Sequence, residues 1–247
     1  MRFHAAVFDL DGTLLDTLAD IAAAVNRALA SLGLPPHQVD DYRLFVGEGI
    51  RVLAQRVLPP DRQSDAEVTA CLSAINSEYG KGLFGETRPY PGISELLDAL
   101  VKRKMSLAIV SNKPHDLTLR SVNKLLAGVP FGAVLGERKG VATKPDPAIA
   151  LEAASQLHVE PAACVYIGDS GIDMQTAKRA GMFPVGALWG FRGKEELVRS
   201  GARALIGSPL ELIKVIDNPF EGMAGSIGAN GDMLKSLMDD KKFEREL

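Results

Sequence analysis

Near one end the chain contains the stretch Phe8-Asp9-Leu10-Asp11-Gly12-Thr13-Leu14-Leu15-Asp16, directly after the apolar residues Ala5-Ala6-Val7. The short apolar run predicts a buried parallel strand. Because residues i and i+2 of an extended chain point the same way, Asp9 and Asp11 are expected to face one small volume where this strand ends. Gly12 then allows a sharp turn or a close approach of the backbone to a ligand.

The paired carboxylates predict a binding site for a cation. Two negative charges held this close repel each other, so the strand end is expected to bind a cation or to share a proton. Aspartate oxygens together with a compact anionic ligand suit Mg²⁺. Thr13 adds a hydroxyl and a backbone amide beside the pair. A strand followed by an Asx-rich turn is the structural alternative, but the complete Asp-x-Asp-Gly-Thr motif favours the metal site.

The composition indicates a globular protein without a strong charge bias. Of the 247 residues, 46% are hydrophobic and 24% charged, which is enough for a sizeable core. A net charge of -3 gives no electrostatic case for binding nucleic acid or an anionic membrane. No apolar run approaches the ~18 residues of a membrane helix, and the early strand leaves no room for a signal peptide. We therefore expect a cytoplasmic protein.

The two cysteines predict no disulfide and no metal site. Cys71 and Cys164 both lie in segments with a regular apolar pattern. In such segments a cysteine usually behaves as a small buried hydrophobic residue.

Residues 17–84 predict an all-helical insert directly after the first strand. The first helix is indicated by apolar residues at spacings of three and four, and Gly33 and Pro35-Pro36 end it. Two more helical stretches follow, without any strand-like alternation between them. The apolar positions of the three helices are Leu18, Ile21, Val25, Leu29 and Leu32; Ile50, Leu53, Val57 and Leu58; and Val68, Leu72, Ile75 and Tyr79.

Beyond Pro91-Gly92 the pattern alternates between strands and helices up to residue 217. This alternation predicts βαβ units and a doubly wound parallel sheet with helices on both faces. The predicted strands are 107–110, 133–135, 164–167, 184–188 and 204–206, and the predicted helices are 93–104, 116–126, 147–157, 172–180, 194–200 and 209–216. The α/β core would comprise residues 1–16 and 85–217, with the insert as a second domain. Residues 218–247 predict a glycine-rich linker and a charged tail.

Further polar groups lie near the ends of the predicted strands, where α/β sheets bind ligands. Ser111 and Asn112 close the second strand, and a serine hydroxyl there can donate a hydrogen bond to a phosphoryl oxygen. Lys144 can neutralise phosphoryl charge, and the following Pro145 restricts it to an extended conformation. Taken alone, these residues are better explained by an ordinary polar turn and a solvated surface lysine.

A second pair of acids follows the strand at 164–167. Asp169 ends this strand, where an unpaired buried carboxylate would be costly. Asp173 comes one helical turn later and is therefore expected on the same side. The structural alternative is a helix N-cap followed by an acid in the first turn.

The order of these groups along the chain is more specific than any one of them. An Asp pair, a hydroxyl, a lysine and a second acidic pair resemble the four motifs of the haloacid dehalogenase-like superfamily. The resemblance covers about residues 3–217, and the insert resembles that family's C1-type cap. The segments Phe-Asp-Leu-Asp-Gly-Thr-Leu-Leu-Asp-Thr, Val-Ser-Asn-Lys, Lys-Pro-Asp-Pro and Tyr-Ile-Gly-Asp-Ser are most similar to the phosphoglycolate phosphatase branch.

The resemblance implies a Mg²⁺-dependent phosphatase that acts on a small-molecule phosphate ester through an aspartyl phosphate. It implies that Asp9 is the nucleophile and Asp11 the general acid and base. Magnesium would be held by Asp9, the backbone carbonyl of Asp11 and Asp169, with Asp173 as a supporting carboxylate. The implied phosphate-binding residues are Gly12, Thr13, Ser111, Asn112 and Lys144.

The insert contains one segment that is expected to contact the leaving group of the substrate. It reads Val46-Gly47-Glu48-Gly49-Ile50-Arg51, and its glycines expose backbone amides. Arg51 is a candidate for binding a substrate carboxylate, with a solvated helix arginine as the alternative. The predicted substrate residues are therefore Gly47, Glu48, Gly49 and Arg51.

Other functions are compatible with parts of this pattern. A haloacid dehalogenase would share the fold, but the second carboxylate, Asp11, argues against it. A hexose-phosphate mutase would keep Asp11 and stays open, as do phosphatases for sugar phosphates, nucleotides or pyrophosphate. A signalling receiver domain would be about half as long, with its phosphorylated aspartate on a middle strand and no helical insert. The substrate, the oligomeric state and the role of the tail stay open.

Overall fold

A parallel sheet forms the centre of the protein in the computed structural model, which describes residues 3–81 and 85–219. The strands are β1 (Ala5–Phe8), β2 (Leu15–Asp16), β3 (Arg88–Pro89), β4 (Ser106–Pro114), β5 (Phe131–Glu137), β6 (Cys164–Gly168), β7 (Phe183–Ala187) and β8 (Ala204–Ile206). Six of them form one sheet in the order β5-β4-β1-β6-β7-β8, and every neighbouring pair is parallel. The doubly wound parallel sheet that the sequence predicts is confirmed.

The helices that the structure describes alternate with these strands or form the insert. They are α1 (Leu18–Ser31), α2 (Tyr42–Phe45), α3 (Ile50–Arg56), α4 (Asp65–Lys81), α5 (Ile93–Lys102), α6 (His115–Leu125), α7 (Ala148–Gln156), α8 (Gly171–Arg179), α9 (Lys194–Arg199) and α10 (Glu211–Asp217). Short 3₁₀ helices lie at Val39–Asp41, Pro60–Arg62 and Pro161–Ala163. None of the described helices is long and apolar enough to cross a membrane.

Strand β1 lies at the switch point of the strand order, with β4 and β5 on one side and β6, β7 and β8 on the other. It pairs with β4 on one side and β6 on the other, so that Phe8 stands opposite both Ile109 and Ile167. Its side chains are buried on both faces, as its apolar sequence predicts. The residues that follow these three strands therefore meet at one crevice, the usual ligand-binding position of such sheets.

The helices α1 to α4 pack around a core of their own, centred on buried residues such as Val25, Tyr42 and Ile75. The chain enters this insert through β2 and leaves it through β3, which pair antiparallel with Leu15 opposite Pro89. Sequence reasoning did not predict this ribbon, because two-residue strands are too short to show a periodic pattern. The segment 17–84 stays our prediction for the bounds of a cap domain.

Several details of the predicted helices are confirmed and others are corrected. Gly33 has a φ of 69° and follows α1, and the Leu34 amide donates to the Leu29 carbonyl at 3.0 Å, which closes the helix end. Leu32 and Val101 were predicted on apolar faces, but each is 36% exposed because it lies at the margin of its helix. Cys71 and Cys164 are buried free thiols, as predicted.

Two further predictions concern the end of the second predicted strand and residues 218–247. Strand β4 extends to Pro114, so Ser111 and Asn112 lie within the strand instead of in a turn after it. The linker and tail predicted for 218–247 lie outside the described residues, apart from 218 and 219.

Candidate active site

Three buried carboxylates meet at the crevice. Asp9 directly follows β1, Asp169 follows β6, and Asp173 lies in the first turn of α8. Each offers an oxygen atom within 4.8 Å of the others. Their exposed fractions are 8%, 1% and 0%, so little solvent screens their mutual repulsion.

Lys144 is the positive charge that faces this cluster. Its Nζ lies 2.8 Å from Asp9 Oδ1 and 2.7 Å from Asp173 Oδ1. Asn112 fixes the main chain at this residue, because its side chain accepts from the Lys144 amide at 2.8 Å and donates to the Lys144 carbonyl at 3.0 Å. These contacts of Asn112 position the lysine, and its binding of phosphate stays a prediction.

The cluster has three carboxylates but one ammonium group, and both burial and the excess negative charge affect the pKa values of its members. Burial, followed by the charge of Asp173, raises the pKa of Asp9 to about 8. Burial and then Asp173 raise the pKa of Asp169 to about 7. Burial lowers the pKa of Lys144, but the charges of Asp173 and Asp9 outweigh this effect and place it well above its usual value. A further cation in the cluster would therefore favour the ionised forms of Asp9 and Asp169.

The residues present fit a divalent cation. Asp9 Oδ1 is buried and no hydrogen-bond donor is directed at it, although Lys144 Nζ is close. Asp169 is held in place, since Thr13 Oγ1 and the Phe191 amide each donate to one of its oxygens at 2.8 Å. Fixed carboxylate oxygens of this kind are suitable ligands for a hard cation.

Asp173 serves two purposes at once. Its Oδ2 accepts from the Ser170 amide at 3.1 Å, and the Ser170 hydroxyl accepts from the Asp173 amide at 3.4 Å, so the two residues cap α8. Its Oδ1 accepts from Lys144. The structural interpretation, an acid in the first turn of the helix, is therefore confirmed, and the role of Asp173 as a supporting carboxylate stays a prediction.

Gly12 and Thr13 make contacts within the loop after β1, and their binding of phosphate stays a prediction. The Gly12 amide donates to the Leu15 carbonyl at 2.9 Å, and the Thr13 amide donates to the Leu10 carbonyl at 3.3 Å. At Gly12, φ is 86° and a β-carbon would collide with the Asp169 carboxylate. The glycine thus allows the turn to pack against Asp169, and these contacts give no support to phosphate binding by the two amides.

Asp11 points toward the same crevice but has a different partner. Lys113 Nζ lies 2.8 Å from Asp11 Oδ1 and 3.1 Å from Oδ2. Sequence reasoning missed Lys113, although a signal was available. It follows Ser111 by two residues on an extended strand, which places both side chains on the same side.

A small cavity lies between the end of the sheet and the helical insert, with a volume of about 60 Å³. Ser111 lines it and accepts from the Lys113 amide at 3.2 Å, which leaves its hydroxyl hydrogen available to a ligand. The cavity is lined from the sheet side by Asp9, Asp11, Ser111, Asn112, Lys113 and Pro114, and from the insert by Ile21, Val46, Gly47, Gly49, Ile50, Leu53 and Tyr79.

Only part of the predicted substrate segment reaches this cavity. Gly47 and Gly49 line it, and the Gly47 carbonyl accepts from Asn112 Nδ2 at 3.0 Å. Glu48 instead pairs with Arg56. Arg51 pairs with Asp65 and its side chain is 51% exposed, so this structure does not bring it to the cavity.

The segment after β7 connects the carboxylate cluster to the insert. Phe191 contacts Asp169 through its amide, while Arg192 Nη2 donates to the Val46 carbonyl at 3.1 Å. From the insert, Arg43 Nη1 donates to the Gly190 carbonyl of this segment at 3.1 Å. Sequence reasoning did not find this segment, because its contact with Asp169 is made by a backbone amide, which no residue type indicates.

The family model of haloacid dehalogenase-like hydrolases matches residues 6–187, which include all four groups of polar side chains described above. The chain belongs to this family. Haloacid dehalogenase-like phosphatases generally use a divalent metal ion, in agreement with the buried carboxylates.

Several relatives of this haloacid dehalogenase-like protein have been named. The phosphoglycolate phosphatase of Pseudomonas putida is 34% identical over 242 residues, which cover 96% of this chain and 89% of the relative. That of Aquifex aeolicus is 32% identical over 213 residues, covering 86% and 96%. A crystal structure from Lactobacillus delbrueckii subsp. bulgaricus, of a protein provisionally named phosphoglycolate phosphatase, is 33% identical with a TM-score of 0.83 and covers 87% and 99%. The chain is therefore a haloacid dehalogenase-like phosphatase.

We predict that the free energy of unfolding of the metal-free phosphatase falls as the pH rises from about 4 to about 8. In the unfolded chain both carboxyls ionise near their usual pKa of 3.8, whereas folded Asp9 and Asp169 keep their protons to about pH 8 and 7. The folded state thus binds more protons across this window, and stability is lost with rising pH. Calorimetric unfolding in chelator should show the loss, and Mg²⁺ should remove it.

A control variant separates this effect from a general sensitivity to pH. In Asp169→Asn one of the two titrating carboxyls is gone, so we expect a flatter dependence on pH and a much smaller stabilisation by Mg²⁺. A wild-type Tm that changes equally with pH in chelator and in Mg²⁺ would contradict the assignment of the carboxylate cluster.

Proposed function

We propose that this protein is a Mg²⁺-dependent phosphomonoester hydrolase that acts through a phosphorylated Asp9. The proposed substrate is a short phosphorylated acid such as 2-phosphoglycolate. The observation that carries the proposal is the placement of Asp9, which belongs both to the buried carboxylate cluster and to the lining of a cavity that also contains Asp11.

The arrangement of side chains suits the transfer of a phosphoryl group. Such transfer depends on positioning and on neutralising the phosphoryl oxygens. Ser111 can donate its hydroxyl hydrogen to one of these oxygens, and Lys144 stabilises ionised Asp9 from the opposite side. When bound, Mg²⁺ would reduce the repulsion between the carboxylates and a phosphate dianion.

Two aspartates divide the proposed chemistry between them. Asp9 forms a bond to phosphorus while the bond to the leaving alcohol breaks, and water later takes the phosphoryl group from Asp9. Asp11 gives a proton to the leaving alcohol and then accepts one from the attacking water. Because Asp11 faces the insert, the leaving group would extend toward Gly47 and Tyr79.

Two observations favour a short substrate. Ile21, Leu53 and Tyr79 of the insert line the cavity that contains Asp9 and Asp11, so the leaving group would have to fit between the sheet and these side chains. The relatives named as phosphoglycolate phosphatases cover most of the chain. We also propose a reducing cytoplasmic location, since both cysteines are free thiols.

The test is a measurement of phosphate release from a panel of phosphorylated metabolites, with Mg²⁺ or with a chelator. We expect 2-phosphoglycolate to be hydrolysed fastest and activity to fall to background after exhaustive chelation. Full activity in chelator would contradict the metal-dependent mechanism. A mutase would instead convert a sugar phosphate into an isomer without releasing phosphate, so the products should also be analysed.

A further inference from the structure

Lys113 is a charged residue of the cavity that the proposed chemistry has not used. It lies near the end of β4, and its side chain is only 10% exposed. Its Nζ contacts both oxygens of Asp11, at 2.8 and 3.1 Å. The ammonium group therefore lies beside the carboxylate that must meet the leaving alcohol.

Among the described residues that line the cavity, Lys113 is the only one with a positive charge. Lys144 is turned away toward Asp9 and Asp173. Arg51 faces solvent and pairs with Asp65. A second anionic group on a bound substrate would thus find its counter-charge at Lys113.

The other walls of the cavity make this counter-charge important. Ile21, Leu53 and the ring of Tyr79 present mainly apolar surface on the insert side. A carboxylate moved into such surroundings without a partner loses its hydration at a high cost. A lysine, with a compact charge on a flexible stem, can follow a small ligand over a short distance.

The contact with Lys113 also limits the access of a leaving alcohol to the Asp11 carboxylate. While Lys113 holds both oxygens, a leaving alcohol has to compete with the ammonium group for Asp11. A substrate that carries its own carboxylate offers Lys113 another partner. When Lys113 moves from Asp11 to the substrate carboxylate, it would bind the substrate and free one Asp11 oxygen for the alcohol.

We propose that Lys113 determines substrate specificity by binding a carboxylate on the leaving group, next to the ester carbon. This inference rests on the proposed function and extends it to the part of the substrate that is not transferred. It places the recognition of that carboxylate on the sheet, at β4, instead of on Arg51 of the insert.

The test compares 2-phosphoglycolate with 2-hydroxyethyl phosphate, which has a hydroxyl in place of the carboxylate. In Lys113→Met, kcat/KM for 2-phosphoglycolate should fall by about 100-fold, as expected for loss of one partner of a buried charge pair. For 2-hydroxyethyl phosphate we expect a clearly smaller fall, since loss of the Lys113–Asp11 pair affects both esters alike and this ester has no carboxylate that could lose its partner. Lys113→Arg should keep most of the preference, because the charge is retained.

Two further variants complete the comparison. Lys102→Met, at an exposed position at the end of α5, should leave both rates unchanged. Arg51→Met should leave the preference intact. If Lys113→Met slows both substrates equally, or if Arg51→Met removes the preference instead, the inference is wrong.

A binding measurement separates this inference from the proposed function. In an Asp9→Asn background, calorimetry with Mg²⁺ should show 2-phosphoglycolate binding more tightly than 2-hydroxyethyl phosphate, and Lys113→Met should remove that difference. If the wild type hydrolyses neither ester, the proposed function fails while this result still decides the role of Lys113. Equal binding of the two esters in the presence of Lys113 would overturn the inference.

Discussion

Asp9→Asn should abolish phosphate release from every substrate, whereas Asp11→Asn should leave a protein that can still become phosphorylated. Without the Asp9 carboxylate no covalent intermediate can form, so both steps are lost. Asp11→Asn removes only proton transfer, which is typically worth roughly 10²–10⁴-fold. The two residues lie next to each other in the cavity, so the contrast tests their roles and not their location.

An activated aryl phosphate makes this contrast visible. Its leaving group needs no proton, so Asp11→Asn should complete much of the first step and then lack the base for the second. We therefore expect a phosphoryl group to accumulate on Asp9, seen as added mass in the intact protein after an acid quench.

The control is Asp9→Asn, which should show no added mass under the same conditions. Peptide mapping then identifies the modified residue in Asp11→Asn. A phosphoryl group found on Asp11, Ser111 or a histidine would show that the proposed roles are wrong.

Lys144→Met should lower both the stability and the activity of the protein strongly. Lys144 lies between Asp9 and Asp173 at 2.8 and 2.7 Å, and all three side chains are buried. Removing one partner of a buried ion pair commonly costs about 3–5 kcal/mol, because the other charge is left without compensation. Urea unfolding in chelator measures the loss, and phosphate release with Mg²⁺ measures the activity.

A second substitution tests whether uncompensated charge is the cause. Lys144→Met combined with Asp173→Asn removes one of the two stranded carboxylates, so part of the lost stability should return. Activity should not return, since Asp9 still lacks its positive partner. Lys102→Met is the matched control and should unfold like the wild type. Unchanged stability of Lys144→Met itself would contradict the charge balance described here.

Much of the site could be predicted because it follows directly from secondary structure. Asp9 and Asp169 come immediately after apolar runs, and the ends of neighbouring parallel strands must meet. The alternation of strands and helices was sufficient to predict the sheet, and the periodicity of α1 was sufficient to predict its buried face. These features depend on local patterns that the chain shows within a few residues.

The contacts that the sequence could not predict concern side chains with more than one available partner. Asn112, whose binding of phosphate stays a prediction, holds the main chain of Lys144 across 32 residues of sequence. Arg51 was a candidate for the substrate, but it pairs with Asp65 on the outer side of α3. In both cases the type of residue indicated a polar contact without indicating which partner it would meet.

By itself, the sequence determined the α/β core, the helical insert and the buried acids at the strand ends, because each follows from periodicity and from the end of an apolar run. Only the tertiary structure decided that Lys113 pairs with Asp11 across 102 residues, and that the Phe191 amide holds Asp169. A long flexible side chain can reach many partners, and a backbone amide is the same in almost every residue. Which partners meet is therefore fixed by the packing of the insert and the final loops against the sheet, and not by any local pattern.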